Sequence, residues 1–253
     1  MIYIGIPVHD ERRTIGPLLW RIRELLYGER REFHLVVCDD ASSDGTTGSL
    51  EKYTRVLPMT LLRNDERSGY AASLERIVRE AARRSGYPRR DALVTMQADF
   101  TDPPEFVPEM MRRFEGGADL VCLEPRSPTT RGERLTRLGA GLVARSLRVP
   151  GESIDPYASQ RLYRLFTLAR AIADLPKGSS LVGQEGWAAN AELLLRVWPH
   201  TRRYETIEAP RRAVRRVRES RLRPAEQLRA LVRAGRDPYI REAVRRAQTK
   251  EAA

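Results

Sequence analysis

Carboxylates gather in three separated clusters of this 253-residue chain: Pro7-Val8-His9-Asp10-Glu11, then Asp39-Asp40-Ala41-Ser42-Ser43-Asp44-Gly45-Thr46, then Gln97-Ala98-Asp99-Phe100-Thr101-Asp102-Pro103-Pro104. A carboxylate only accepts hydrogen bonds, and crowded carboxylates are costly unless a cation or hydrogen-bond donors lie among them. Taken singly, each cluster has a structural explanation: Asp44 and Thr46 can cap a following helix, Asp102-Pro103-Pro104 is a good turn, and Glu11 can sit in solvent. Taken together, three acidic loops from distant parts of the chain point to a common ligand site. A phosphate at such a site must be held by a metal or by side chains. The turn after the first apolar run lacks the glycines of a dinucleotide-binding loop, and no Gly-Lys-Ser/Thr occurs anywhere.

The elements that would position these clusters are legible from the hydrophobic pattern. Each cluster follows a short apolar run, and strands are expected near 3–7, 35–39, 59–62, 92–96 and 119–123. Between them lie segments of helical period. Residues 14–26 carry Ile15, Leu18, Leu19, Ile22, Leu25 and Leu26 on one face, and 70–84 carry Leu74, Ile77, Val78 and Ala81. This alternation predicts an α/β fold with a mostly parallel central sheet, whose ligands bind at the carboxyl ends of the strands. After Arg126 the strand pattern stops. A Pro/Thr/Arg-rich loop is expected over 127–134, helices near 135–147, 163–173 and 187–197, and a last strand near 204–208.

Composition narrows the function classes. Cys38 and Cys122 each lie in a strand-like run, so neither a disulfide framework nor a cysteine metal site is indicated, and a reducing, cytoplasmic setting is expected. No stretch approaches the roughly 18 to 20 apolar residues of a membrane span, and no signal-peptide pattern opens the chain. The formal charge of +11 is uneven: residues 202–253 hold 16 Lys+Arg against 7 Asp+Glu. From Pro224 this basic tail reads as two short helices separated by Gly235 and Asp237-Pro238. It fits an anionic membrane surface, at about 1 kcal/mol per basic residue. Nucleic acid is not expected, since Tyr204 and Tyr239 are the tail's only aromatics. An arginine-rich composition without a partner is the plain alternative.

The motifs resemble family 2 glycosyltransferases of the GT-A fold, and among them the polyprenyl-phosphate (dolichol-phosphate mannose-type) sugar transferases. Ile6-Pro7-Val8-His9-Asp10-Glu11 is similar to the family's IPxYNE opening, and Asp39 to Thr46 matches DDxSxDGT in full. Arg63 to Leu74 resembles the RNxGxxxAxxxG helix start, Gln97 to Glu105 resembles DADxxxPPE, Asp155 to Tyr163 resembles DxxSGFRxY, and Glu208 to Leu222 resembles EVPxxFxxRxxGxSKL. The resemblance covers about residues 1–222. It implies a glycosyltransferase domain over 1–222, with a donor-binding half (1–126), an acceptor-side half (127–222) and the tail (223–253) appended.

The resemblance also implies roles. A nucleoside-diphosphate sugar would lie among Pro7, His9, Glu11, Asp39, Asp40, Asp44, Gly69, Gln97 and Ala98. Asp99, with Gln97, would hold a divalent cation, Mg2+ or Mn2+, against the donor pyrophosphate. Here the first acid of the Asp-x-Asp motif is Gln97, which supplies an oxygen but no charge, so weaker metal binding is expected. Transfer would invert the sugar's anomeric carbon. Asp99, Arg126, Arg215 and Glu185 are the implied catalytic residues: Arg126 and Arg215 would contact the phosphate of a polyprenyl-phosphate acceptor, with Arg131 and Arg134 in support, and Glu185 would be the base for a soluble hydroxyl acceptor. Glu192 matches the family's helix glutamate. Two alternatives to the lipid acceptor stay open, a soluble hydroxyl acceptor and a nucleotide-sugar-binding protein without turnover.

Overall fold

The computed structural model describes residues 1–125 and 154–209, together with 229, 230, 232, 233, 236, 241 and 242, which are helical. Among the described residues seven strands form one sheet: β1 (Ile2–Val8), β2 (Phe33–Asp40), β3 (Met59–Asn64), β4 (Ala92–Thr95), β5 (Leu120–Pro125), β6 (Arg161–Arg164) and β7 (Tyr204–Ala209), in the spatial order β3-β2-β1-β4-β6-β5-β7. β1 to β4 are mutually parallel and β5 is parallel to β7, while β6 runs antiparallel to both its neighbours. The expected mostly parallel sheet is therefore present.

Side-chain alternation along the strands feeds two cores. Ile2, Ile4, Ile6 and Val8 of β1, with Leu35, Val37, Ala92 and Val94, pack against α1 (Ile15–Leu26) and α4 (Val107–Glu115). Tyr3, Val36, Cys38 and Leu93 face the other way, onto α3 (Tyr70–Arg84), α5 (Leu165–Ala173) and α6 (Trp187–Val197). Gly5 takes its place on that second face, where a Cβ would come 2.4 Å from Ile77 Cγ2. Its missing side chain is what lets α3 settle on β1.

The chain builds β1, β2 and β3 outward on one side, with the short helix α2 (Thr46–Tyr53) before β3, then crosses back along α3 to place β4 beside β1. This reversal makes the carboxyl ends of β1 and β4 the switch point of the sheet, the usual ligand position in such folds.

The sequence reading needs two corrections in the second half. Besides the expected strand near 204–208, which is β7, a further strand follows residue 126, since β6 inserts between β4 and β5, and helix α5 starts at Leu165 rather than Tyr163. The strand escaped notice because Arg161-Leu162-Tyr163-Arg164 carries two arginines in four residues and has no apolar run. Burial of Arg161 is nonetheless complete, with its guanidinium donating to the carbonyls of Asn190 and Asp155, both at 2.7 Å. The expected 127–134 loop and 135–147 helix lie outside the described residues, as do most of the two tail helices.

Candidate functional site

The loop after β1 and the loop after β2 are built as one unit. Asp10 N–H donates to Ser42 Oγ (3.0 Å) and Ser43 N–H donates back to Asp10 Oδ1 (2.8 Å); Glu11 N–H reaches Thr46 Oγ1 (3.0 Å), Arg12 N–H reaches Asp44 Oδ2 (3.1 Å), and His9 Nδ1 meets the carbonyl of Asp40 at 2.8 Å. The Ser43 N–H holds the Asp10 carboxyl below the usual range. Pro7 lies in β1, paired with Cys38. Glu11 accepts from Thr14 Oγ1 at 2.7 Å beside the start of α1.

Asp39 and Asp40, both buried, serve different neighbours. Asp39 accepts from Ser42 N–H (3.1 Å) in its own loop and from the Thr47 hydroxyl in the first turn of α2. Asp40 accepts from Asn64 Nδ2 (2.6 Å), Ser68 N–H (2.8 Å) and Gly69 N–H (2.9 Å), which fixes the turn between β3 and α3. This clamp holds the first turn of α3 at the carboxyl end of β2. Gly69 has φ of +91° and ψ of 170°, a backbone region open essentially to glycine alone.

The loop after β4 alternates. Ala98 is buried in the α1/α4 core, while half-buried Gln97 and Asp99 flank it. Asp99 Oδ1 accepts from Thr101 N–H at 2.9 Å. Gln97 Nε2 donates to Tyr70 Oη at 3.3 Å, and Tyr70 Oη donates to Asn190 Oδ1 at 2.8 Å. Beneath them Asp102 Oδ2 accepts from Gln97 N–H (2.7 Å) and Ser159 Oγ (2.6 Å), and burial pushes its carboxyl up to about 6. All three non-glycine residues with positive φ among the described residues sit in these three loops: Asp10 (54°), Ala41 (54°) and Phe100 (62°). Strain of this kind collects where surrounding structure enforces a loop shape for a ligand.

Glu185 reaches the same place from the opposite wall. Its carboxylate lies against Gly69, where a Cβ would be 2.7 Å from Oε1, and Ala71 N–H approaches its Oε2 at 3.4 Å. Its loop is pinned on both sides. Glu75 of α3 accepts from Leu181 and Val182 N–H (3.0 and 3.3 Å), and buried Glu192 of α6 accepts from Gly183 and Gln184 N–H (2.8 Å each).

The site residues read from the sequence thus fall into two groups. Pro7, His9, Glu11, Asp39, Asp40, Asp44, Gly69, Gln97, Ala98, Asp99 and Glu185 belong to segments meeting around the head of α3 and the carboxyl ends of β1, β2 and β4. Arg126, Arg131, Arg134 and Arg215 lie outside the described residues. Tyr70 and Asn190 were not singled out from the sequence. The available signal was a polar Asn190 within the apolar run of α6, which must find a partner once buried. Among the described residues no three His, Cys, Asp or Glu side chains converge as a metal cage, and no helix is long and apolar enough to cross a membrane.

Comparison with known proteins agrees with this geometry. The family model "Glycosyl transferase family 2" matches residues 3–168. The dolichol-phosphate mannosyltransferase of Pyrococcus furiosus is 30% identical over 120 residues, 47% of this chain and 32% of that protein. The undecaprenyl-phosphate 4-deoxy-4-formamido-L-arabinose transferase of Edwardsiella ictaluri is 27% identical over 172 residues, 64% of this chain and 49% of that protein. This chain thus spans from about a third to a half of the length of those relatives. In fold it is similar to glucosyl-3-phosphoglycerate synthase from Mycobacterium tuberculosis, a structure in complex with Mn2+, UDP-glucose and phosphoglyceric acid, with a TM-score of 0.64 and 18% identity over 93% of this chain and 79% of that one. The α/β architecture is of the GT-A type. With a match running from β1 into α5, through all three acidic loops, the chain belongs to glycosyl transferase family 2.

Proposed function

We propose that the chain transfers a sugar from a nucleoside-diphosphate sugar to a polyprenyl phosphate, with inversion at the anomeric carbon. The observation that carries this reading is that two interlocked acidic loops, after β1 and β2, and the acidic loop after β4 are all tied to the head of α3 at the carboxyl ends of the strands. The relatives named as dolichol-phosphate and undecaprenyl-phosphate transferases support the acceptor class. In this reading His9, Glu11 and Asp39 line the pocket for base and ribose, with Asp44 holding the β1 loop in place. Asp40 organises the α3 turn.

A divalent cation fits at Asp99, whose carboxylate is a hard oxygen donor. Asp99 keeps Oδ2 outside its turn hydrogen bond, and the remaining ligands of a hard cation would come from donor phosphates and water. Bound there, the cation would neutralise charge on the departing nucleoside diphosphate. The protein's own part is to orient. An acceptor phosphate oxygen, already ionised near neutral pH, attacks the anomeric carbon from the face opposite the diphosphate, whose bond to that carbon breaks as the new one forms. No general base is needed, so Glu185 acts as a wall of the acceptor side.

The test begins with thermal unfolding against a panel of UDP-, GDP- and TDP-sugars with Mn2+, since a ligand of the folded state raises the midpoint. The donor so found is then assayed with undecaprenyl phosphate. Transfer is expected in the wild type, with a loss of about a hundredfold or more in Asp99→Asn and little change in Glu185→Gln. Transfer to a soluble hydroxyl acceptor that vanishes in Glu185→Gln would replace the lipid reading. Donor binding without transfer to any acceptor would leave a binding protein.

A further inference from the structure

The glutamine at the first position of the Asp-x-Asp motif has a partner that an aspartate there could not serve. Gln97 Nε2 donates to Tyr70 Oη (3.3 Å), and the Tyr70 hydroxyl spends its single proton on Asn190 Oδ1 (2.8 Å). Asn190 is buried, its Nδ2 points at the Tyr157 carbonyl (3.4 Å), and its own carbonyl accepts from buried Arg161 (2.7 Å). Burial raises the Tyr70 pKa well above its ordinary value, so the hydroxyl stays a donor at any physiological pH. With that proton engaged, the Tyr70 oxygen has only lone pairs to offer Gln97. An amide N–H answers them and a carboxylate cannot.

We infer that Gln97 and Tyr70 are positioning residues, a hydrogen-bonded relay that ties the Asp99 loop to α6 and the 155–161 segment through the first turn of α3. This deepens the transferase reading and rests on it for its catalytic consequence. The relay runs beside a second tie between the same segments, the Gln97 N–H to Asp102 to Ser159 link, so side chain and backbone of residue 97 are both fixed to the acceptor side. Asp99, two residues on, is thereby held in register with Glu185, which touches the same turn of α3 at Gly69 and Ala71. The amide at 97 is matched to this surrounding and is not a damaged metal ligand.

The experiment is a double-mutant cycle on the full chain with Gln97→Met, Tyr70→Phe and the pair. In urea unfolding without metal or nucleotide, each single variant is expected to lower the midpoint, and the pair to fall no further than Tyr70→Phe alone. In calorimetry with Mn2+ and UDP as the probe, affinity stays within about twofold of wild type in all three. Single-turnover transfer from the donor chosen by the panel drops by about tenfold or more, by the same factor in each. Additive midpoint losses would overturn the relay. So would loss of Mn2+·UDP binding in Gln97→Met alone, which would make residue 97 a ligand. A wild-type protein that binds neither UDP nor any donor sinks the transferase reading instead, and the unfolding cycle still decides the relay.

Discussion

Asp102 shows what a single buried carboxyl does in this site. It accepts from Gln97 N–H and Ser159 Oγ and so joins the loop after β4 to the stretch before β6. The sequence offers only the turn reading for it, as the residue before Pro103-Pro104. Burial raises its pKa to about 6, with nearby Asp99 adding to the rise. In the unfolded chain an aspartate titrates near ~3.9. Between those values the folded protein holds a proton that the unfolded chain has lost, so stability contributed by the neutral carboxyl is full below about pH 4 and declines as pH rises through 6. Asp102→Asn is expected to remove that decline. Urea midpoints of the two proteins measured from pH 4 to pH 8 should separate in the variant's favour as pH increases; a constant gap would mean that Asp102 does not titrate in this range.

Residues read as ligand groups also turn out to be structural clips. Asp10, Asp40 and Asp44 each accept hydrogen bonds from neighbouring loops, and Asp39 accepts from its own loop and the start of α2. The capping explanation for Asp44 and Thr46 is partly met, since Asp44 accepts from the Thr46 N–H at 2.9 Å as α2 begins. A carboxylate has about four lone-pair positions, so one side chain can brace a loop and still face a ligand. Motif spacing marks such residues but does not divide the two tasks.

At the scale of elements, α3 is the hinge of the design. Its helical period is plain in the sequence, and the expected span 70–84 is the observed one. What the period does not tell is that its first turn joins four segments: Asp40 through Gly69, Gln97 and Asn190 through Tyr70, and the Glu185 loop at Gly69 and Ala71. Gly69→Ala meets two penalties, a left-handed φ and a Cβ in contact with the Glu185 carboxylate. A loss of about 1–3 kcal/mol is expected, together with weaker donor binding. Gly48→Ala is the control: it lies inside α2 with nothing within 4 Å of a Cβ, and should stabilise by about 0.5–1 kcal/mol. Urea unfolding of both decides it, and equal shifts would remove the special role of position 69.

At the scale of the whole molecule, the sheet takes strands from both long described stretches, 1–125 and 154–209, with β6 paired to β4 and β7 paired to β5. Under the proposed function, the acceptor side would thus share one platform with the donor loops. The basic stretch over 202–253 adds a long-range electrostatic feature that the lipid-acceptor reading can use. Deleting 224–253 is expected to abolish sedimentation with vesicles containing anionic lipid at 0.1 M salt while leaving donor-induced thermal stabilisation intact. Wild-type binding should weaken as salt is raised, because screening shortens the reach of surface charge. Vesicle binding that survives the deletion would assign membrane contact to another surface.

The sequence by itself determined the sheet's parallel half, the covering helices α1 and α3 and the three acidic loops, because hydrophobic period and turn chemistry are local and repeat within a few residues. It also carried the family resemblance through those loops. The tertiary structure alone decided the antiparallel β6, the buried seat of Arg161 and the links from Gln97 through Tyr70 to Asn190. Except for the Arg161 bond to the Asp155 carbonyl, those depend on contacts between residues from about 27 to 120 positions apart, and a hydrogen bond across such a separation leaves no periodic trace in the chain that makes it.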